Sequence, residues 1–194
     1  MALLSRSERQ ASILRNAAQA FARQGFAGTS MDDVAAACGV TKLILYRHFD
    51  TKEDLYRAIL QRVFERLGQQ LSEGMSRPDP RGLGMRTLLT VAREDEAGFT
   101  LLWRHASREP QFADYADELR EAAAGATAFL MGLQTDDPAL DRWAALSTFG
   151  WLVDAVFVWL EVGDPARDDE VIERAARGLR ALRDAWVPTP STTG

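Results

Sequence analysis

The stretch GFAGTSMDDVAAACGVTKLILYRHFDTKEDLY, residues 25–56, decides the fold of this chain of 194 residues. Its centre holds two short apolar helical patterns separated by Gly39. Ser30, with Asp33 three residues later, forms a capping box pattern, so we expect a helix that begins after Ser30 and ends before Gly39. Glycine there permits the positive φ of a tight turn. A second short helix is predicted from Thr41 to His48.

The two short helices have the composition of a helix-turn-helix. Ala35 is a small residue where the two helices must touch. Apolar residues are placed to join both helices to a third, and these are Val34, Cys38, Val40 and Leu45. A helix predicted from Ser7 to Gln24 supplies the third element, and Gly25 provides its stop. We therefore expect a three-helix head in which these apolar residues point into a shared core.

Across about thirty residues this stretch resembles the tetracycline-repressor (TetR) family. The matching features are Gly-Phe, Thr-Ser, Gly-Val, Leu-Tyr-x-His-Phe and Lys-Glu-x-Leu, in that order within residues 25–56. The resemblance implies a DNA-binding head followed by a larger helical domain of variable sequence that dimerises and holds an inducer. We therefore expect a homodimeric repressor that binds a palindromic double-stranded DNA operator and that an unidentified small molecule releases.

The predicted recognition helix and its flanks supply nine candidate DNA contacts. They are Thr29, Thr41, Lys42, Leu43, Ile44, Tyr46, Arg47, His48 and Lys52. Residues at the N-terminal end of the helix are expected to face base edges, and the later ones to face phosphates. Alternatives stay open: Leu43 and Ile44 contact thymine methyls or only pack, and His48 contacts a phosphate or fills a packed position. Lys42 fits a guanine edge or a phosphate, and Arg47 a phosphate or a solvated position.

Charge is distributed unevenly along the chain. Residues 1–67 contain 10 Lys and Arg against 7 Asp and Glu, a net charge of +3, whereas residues 68–194 carry −8. This polarity fits a DNA-binding head on an acidic body that adds nothing to phosphate affinity.

The remaining composition argues against several other classes of protein. Cys38 is the only cysteine, so we expect a core residue in a reducing cytoplasm and no internal disulfide. The sequence lacks metal-ligand spacings and a phosphate-binding glycine loop, so we expect no enzyme, no cofactor and no metal. The most apolar stretch, Ala144–Leu160, carries Asp154, which favours a buried helix over a membrane span.

Almost every segment has a helical period, so the expected fold class is all-α with about nine helices. A fourth helix is predicted from about Thr51 to Ser72, followed by a Pro- and Gly-rich linker at residues 74–84. Five further helices are predicted near residues 82–95, 97–107, 110–133, 137–161 and 168–186. The predicted domains are a helix-turn-helix domain at 1–52, a ligand-binding and dimerisation domain at 53–187, and a disordered tail at 188–194.

The predicted helix around Leu146–Leu160 is apolar on more than one side. We expect one side to close the subunit's own core and the other to meet a second copy of the chain. The last helix offers a matching stripe, comprising Ile172, Ala175, Ala176, Leu179, Leu182 and Trp186. The expected interface is a four-helix arrangement with two-fold symmetry.

Candidate ligand-pocket residues are polar or aromatic groups on otherwise apolar faces. They are Trp103, His105, Tyr115, Phe129, Phe149 and Asp154. Each fits either a pocket or ordinary core packing. Asp154 must find a donor, face a cavity or pair with an arginine across a dimer interface; Arg177, Arg180 and Arg183 are the possible partners.

Two other functions stay open at this point. A helical lipid carrier would use the tryptophan-rich C-terminal part alone, and it would leave the helix-turn-helix pattern unexplained. A constitutive or architectural DNA-binding protein would keep the head and lack the inducer.

Overall fold

The computed structural model describes residues 6–77 and 81–186. Within these ranges it contains nine α-helices and no strand, as the sequence predicts. The helices are α1 (Arg6–Gly28), α2 (Met31–Cys38), α3 (Lys42–Tyr46), α4 (Lys52–Met75), α5 (Leu83–Glu94), α6 (Glu96–Thr100), α7 (Ala113–Met131), α8 (Pro138–Val162) and α9 (Asp168–Trp186). A π-helical turn at Leu101–His105 and 3₁₀ turns at Ala106–Arg108 and Pro165–Arg167 connect them. The predicted tail at 188–194 lies outside the described residues.

Packing divides the described helices into two compact units. The first comprises the residues up to Arg66 together with Glu94–Ala116, and it includes α1 to α3 and α6. The second comprises Leu67–Arg93 and the residues from Asp117 onward, and it includes α5, α8 and α9. The helices α4 and α7 each contribute residues to both units. The domain boundary predicted after residue 52 separates the part that binds DNA from the rest of the chain. This division by function stays a proposal.

The core of the first unit is built on α1. Its buried stripe comprises Ile13, Leu14, Ala17, Ala18 and Phe21, as the helical period predicts. Gly25, with φ 73°, breaks the helical geometry within α1 and turns Phe26 into the core. Phe26 then packs edge-on against Tyr56 at 5.3 Å and against Phe112 at 4.9 Å between ring centroids. This aromatic cluster joins the end of α1 to α4 within the unit.

In the second unit, α8 is a long apolar helix that begins at a local cap. Asp137 accepts hydrogen bonds from the backbone N–H groups of Ala139 and Leu140. By length and composition alone this helix is apolar enough to cross a membrane, with a mean hydropathy of 1.5. Core helices of soluble proteins meet the same criterion, and one side of α8 is buried within the unit, from Ala144 to Phe157.

Two ion pairs fix α9 against α5. Arg86 contacts Asp169 at 2.7 Å, and Arg93 contacts Asp168 at 3.0 Å. Trp159 on α8 donates its indole N–H to the same Asp168 carboxylate at 2.6 Å. Three helices of the second unit therefore meet at the first residue of α9.

Candidate nucleic-acid interface

Local hydrogen bonds fix the helix-turn-helix. The backbone N–H of Asp33 donates to Ser30 Oγ at 3.2 Å, and the N–H of Ser30 donates to Asp33 Oδ2 at 2.8 Å. The Ser30 hydroxyl also donates to the Asp33 carboxylate, and this bond together with the one from the Ser30 N–H holds the pKa of Asp33 below its usual value. Gly39 ends α2 with φ 64° and donates its N–H to the carbonyl of Ala36 at 3.1 Å. The capping box and the glycine turn predicted from the sequence are both present.

The helix α3 is shorter than predicted. It covers Lys42–Tyr46, with Thr41 as its N-cap, and residues 47–48 form a turn. The backbone N–H groups of His48 and Phe49 both donate to the carbonyl of Leu45 at 2.9 Å. The chain leaves the helix here because Leu45 and Phe49 are both buried and hold the turn against the core.

One face of α3 is open to solvent. Its exposed residues are Thr41, Lys42, Leu43, Tyr46 and Arg47, whereas Ile44 and His48 are half-buried. Leu43 is 63% exposed, a large value for an apolar side chain, and Tyr46 is 44% exposed. The open face therefore carries hydrogen-bonding and charged groups around one apolar side chain.

Lys42 has a partner that the sequence did not point out. Its Nζ lies 2.8 Å from Asp32 Oδ2 on α2, and this hydrogen bond raises the pKa of Lys42 above its usual value. Both side chains are largely exposed, so the pair adds little stability. It holds the lysine along the outer edge of the two helices, from which a phosphate can compete with Asp32 for the ammonium group.

Thr29 and Lys52 support the turn between α1 and α2 in this structure. Thr29 is 1% exposed, and its hydroxyl donates to the carbonyl of Gly25 at 2.7 Å. Lys52 Nζ donates to the carbonyls of Phe26 and Thr29 at 2.8 and 3.0 Å, and lies 4.2 Å from the Phe26 ring centroid. These bonds use the polar groups that were expected to bind phosphates, so neither side chain is part of the exposed face of α3.

Two ion pairs tie α4 to the segment where α5 ends and α6 begins. Arg62 pairs with Asp95, and Arg66 binds Glu94 through both Nε and a terminal nitrogen at 2.8 Å. Asp95 also accepts from the backbone N–H of Gly98 at 3.1 Å, which caps α6. Burial lowers the pKa of the Arg62 guanidinium, and the charge of Asp95 opposes this effect. A change in α6 would therefore act directly on α4.

The six candidate pocket residues are divided between the two units. Trp103, His105 and Tyr115 belong to the first unit, and Phe129, Phe149 and Asp154 to the second. Phe149 is 4% exposed and packs in the core, whereas Asp154 is exposed on α8. Tyr115 donates its hydroxyl to Gln61 on α4.

Among the six, Phe129 lines a cavity of about 390 Å³ in the second unit, and this residue is 74% exposed. Three arginines, Arg81, Arg180 and Arg183, line the same cavity. Sequence reasoning considered Arg180 and Arg183 only as partners of Asp154, and it missed Arg81. The signal in the sequence that could have pointed to this cavity is the spacing of Arg180 and Arg183, three residues apart beside the apolar stripe of α9.

Comparison with known proteins gives matches over the head and over the whole fold. Residues 13–59 match the family model described as bacterial regulatory proteins, tetR family. A protein of Mycolicibacterium smegmatis named HTH-type transcriptional activator FasR is 27% identical over 179 residues, covering 88% of this chain and 80% of that protein. The negative transcriptional regulator IcaR of the biofilm operon icaADBC in Staphylococcus epidermidis is 36% identical over 52 residues, covering 27% of this chain and 28% of that protein.

A solved structure has a similar fold. The crystal structure of AibR in complex with isovaleryl coenzyme A and operator DNA matches with a TM-score of 0.61 at 24% identity, covering 90% of this chain and 97% of that one. At this identity the match establishes the arrangement of helices and nothing about the ligand.

Proposed function

The chain belongs to the TetR family of bacterial transcriptional regulators, and we propose that it is a cytoplasmic homodimer that represses transcription until a small molecule releases it from a palindromic operator. The exposed face of α3 carries this proposal, because solvent-facing polar groups surround an apolar Leu43 on a helix whose other side is buried. This combination of one apolar side chain with flanking hydrogen-bonding and charged groups matches the methyl groups, base edges and phosphates that a major groove presents.

The proposed DNA contacts divide between bases and backbone. Thr41, Lys42 and Leu43 lie at the N-terminal end of α3, the end that reads base edges when a recognition helix enters the major groove. Leu43 matches the methyl group of thymine, which is the apolar feature of that groove. Tyr46 and Arg47 lie at the other end and are assigned to phosphates. Ile44 and His48 stay secondary candidates because they are half-buried.

The proposed dimer interface lies on α8 and α9. The exposed apolar side chains of α8 include Trp143, Trp151, Val158 and Val162. Asp154 is exposed at a position between Trp151 and Val158 on the same stripe. The stripe of α9 that the sequence offered to a partner begins with Ile172, Ala175 and Ala176, which are buried within one subunit. The partner is therefore assigned to the exposed side of α9, where Gly178, Ala181 and Ala185 permit close approach of a helix.

The proposed release mechanism uses α4. This helix runs from Lys52, directly after the head, to Met75. A ligand in the C-terminal part that moves α4 would change the separation of the two α3 helices in a dimer, so that both half-sites cannot be bound together. The ion pairs of Arg62 and Arg66 with the α5–α6 junction provide the contact through which such a movement is transmitted.

The test is DNA binding measured by fluorescence anisotropy, with DNA from the promoter of the protein's own gene and at increasing salt. We expect specific binding by a species with the mass of two chains in light scattering. Arg47→Ala should weaken binding by about tenfold or more and reduce the salt slope by about two, as expected when each subunit of the dimer loses one phosphate contact. Arg108→Ala serves as the matched control, because Arg108 is also exposed in the first unit but lies outside the head.

Absence of specific binding at every salt concentration would favour the lipid-carrier function, and a monomer at micromolar concentration would contradict the dimer. A reporter gene under the same promoter distinguishes repression from activation. The name of the M. smegmatis relative makes activation the second candidate.

A further inference from the structure

The cavity of the second unit has the size of a small-molecule site. Its volume of about 390 Å³ falls within the range of about 300–1,000 Å³ that is usual for such sites. It lies among the start of α5, the end of α7, the middle of α8 and the second half of α9. Apolar side chains form most of its walls, namely Leu83, Phe129, Leu130, Met131, Leu152 and Leu179.

Positive charge is concentrated at this cavity. The lining includes Arg81, Arg180 and Arg183 and contains no acidic residue. Arg183 binds the neighbouring Asp184 at 2.7 Å, whereas Arg180 makes no ion pair with any residue in the described part of the chain. Since residues 68–194 carry a net charge of −8, three arginines around one apolar cavity run against the charge of this region.

Two glycines at the start of α5 allow this wall of the cavity to pack closely against α8 and α9. Gly82 has φ 71°, and a Cβ there would lie 2.7 Å from Ile172 Cγ2 on α9. A Cβ at Gly84 would lie 3.4 Å from Leu152 Cδ1 on α8. The turn therefore packs directly onto both helices, and the cavity beside it is a preformed feature of the unit's packing.

We propose that this cavity binds an anionic amphiphile, a molecule with an acyl chain and a carboxylate or phosphate head. The apolar walls would take the chain, and the arginines would bind the head by charge-assisted hydrogen bonds, which guanidinium groups form with both kinds of anion. This inference deepens the proposed function, on which it rests, by naming the chemical class of the effector. Of the six pocket residues expected from the sequence, Phe129 lines this cavity, and the other five stay predictions.

The test is isothermal titration calorimetry without DNA, using decanoate, decyl phosphate and decanol as probes. We expect the anions to bind the unaltered protein more tightly than decanol, and the better anion to identify the head group. The double variant Arg180→Ala/Arg183→Ala should weaken anion binding by about tenfold or more and leave decanol binding unchanged. Arg120→Ala is the matched control, because Arg120 is exposed on α7 outside the cavity lining.

A second variant tests the location without changing the charge. Leu179→Trp should fill the cavity and reduce binding of all three probes, while circular dichroism reports whether either variant is folded. Equal affinity of decanoate for the unaltered protein and the double variant would overturn the proposal, as would absence of binding by both anions. Because DNA is absent from the titration, these failures leave the proposed DNA binding intact, and loss of specific DNA binding leaves the cavity site intact.

Discussion

The helix-turn-helix and α8 differ in how their structures are encoded. In the first, both ends of α2 are fixed locally, by the Ser30–Asp33 capping box and by the left-handed Gly39. In contrast, α8 has apolar residues all round, with Phe149 and Phe157 buried while Trp151 and Val158 are exposed. Short-range hydrogen bonds therefore locate the ends of a helix, whereas only the packing partner determines which face is buried.

Two glycines, one in the helix-turn-helix and one directly before α5, also have different roles. Gly39 and Gly82 both have positive φ, 64° and 71°. A Cβ at Gly39 would meet nothing within 4 Å, whereas a Cβ at Gly82 would overlap Ile172. Gly39 is therefore required by backbone conformation alone, and Gly82 by conformation and by the close approach of α9.

The largest effect that tests this comparison is expected within the head. Leu45 is 0% exposed and Leu43 is 63% exposed, although both are leucines on the same short helix. Leu45→Ala should lower the free energy of unfolding by about 2–5 kcal/mol through the cavity it leaves. Leu43→Ala, the matched control, should change it by less than about 0.5 kcal/mol. Urea denaturation measures both, and similar losses in the two variants would contradict the exposed face of α3.

Alanine substitutions at the two glycines should have an intermediate effect on the free energy of unfolding, and the effect should differ between the two positions. Gly39→Ala should destabilise the protein by about 1–2 kcal/mol, the cost of a left-handed conformation for an L-residue. Gly82→Ala should cost about 2–4 kcal/mol, because the added methyl group must also displace Ile172. Thermal unfolding of both variants gives the difference. If Gly82→Ala were no worse than Gly39→Ala, the close packing between the start of α5 and α9 would be wrong.

The smallest effect concerns Asp168 and depends on pH. Burial alone would raise the pKa of this carboxyl, but hydrogen bonds from Arg93 and Trp159 outweigh it and hold the pKa below 3.8. The unfolded chain therefore binds the proton more readily, so the carboxylate contributes stability above about pH 3.8 that is lost as the pH falls through the folded-state pKa.

The measurement is the melting temperature of the unaltered protein and of Asp168→Asn between pH 7 and pH 3. We expect a loss of about 1 kcal/mol at pH 7 that shrinks toward pH 3. Asp169→Asn is the control, because that carboxylate is exposed in its pair with Arg86. A loss for Asp168→Asn that stays constant with pH would contradict the role of the charge.

Much of the head could be predicted from the sequence because its determinants lie within a few residues of one another. The hydrogen bonds of Thr29 and Lys52 could not be predicted in this way, because Lys52 binds the carbonyl of Phe26, which lies 26 residues earlier in the chain. The helix predicted at 97–107 is α6 followed by the π-helical turn at Leu101–His105 and a 3₁₀ turn. The spacing of apolar residues over so few positions does not distinguish these three kinds of helical turn.

The sequence by itself determined the all-α class, the ends of α2 and the start of α4, because caps and a glycine turn act through hydrogen bonds between near neighbours. Tertiary structure decided which sides of α8 and α9 are open, and it brought Arg81 and Arg180 to one cavity from positions far apart in the chain. A side chain is buried only when a second helix packs against it, and two residues come close only when their helices pack together. The apolar pattern of one helix shows which face can be buried, but it does not identify the helix that covers this face.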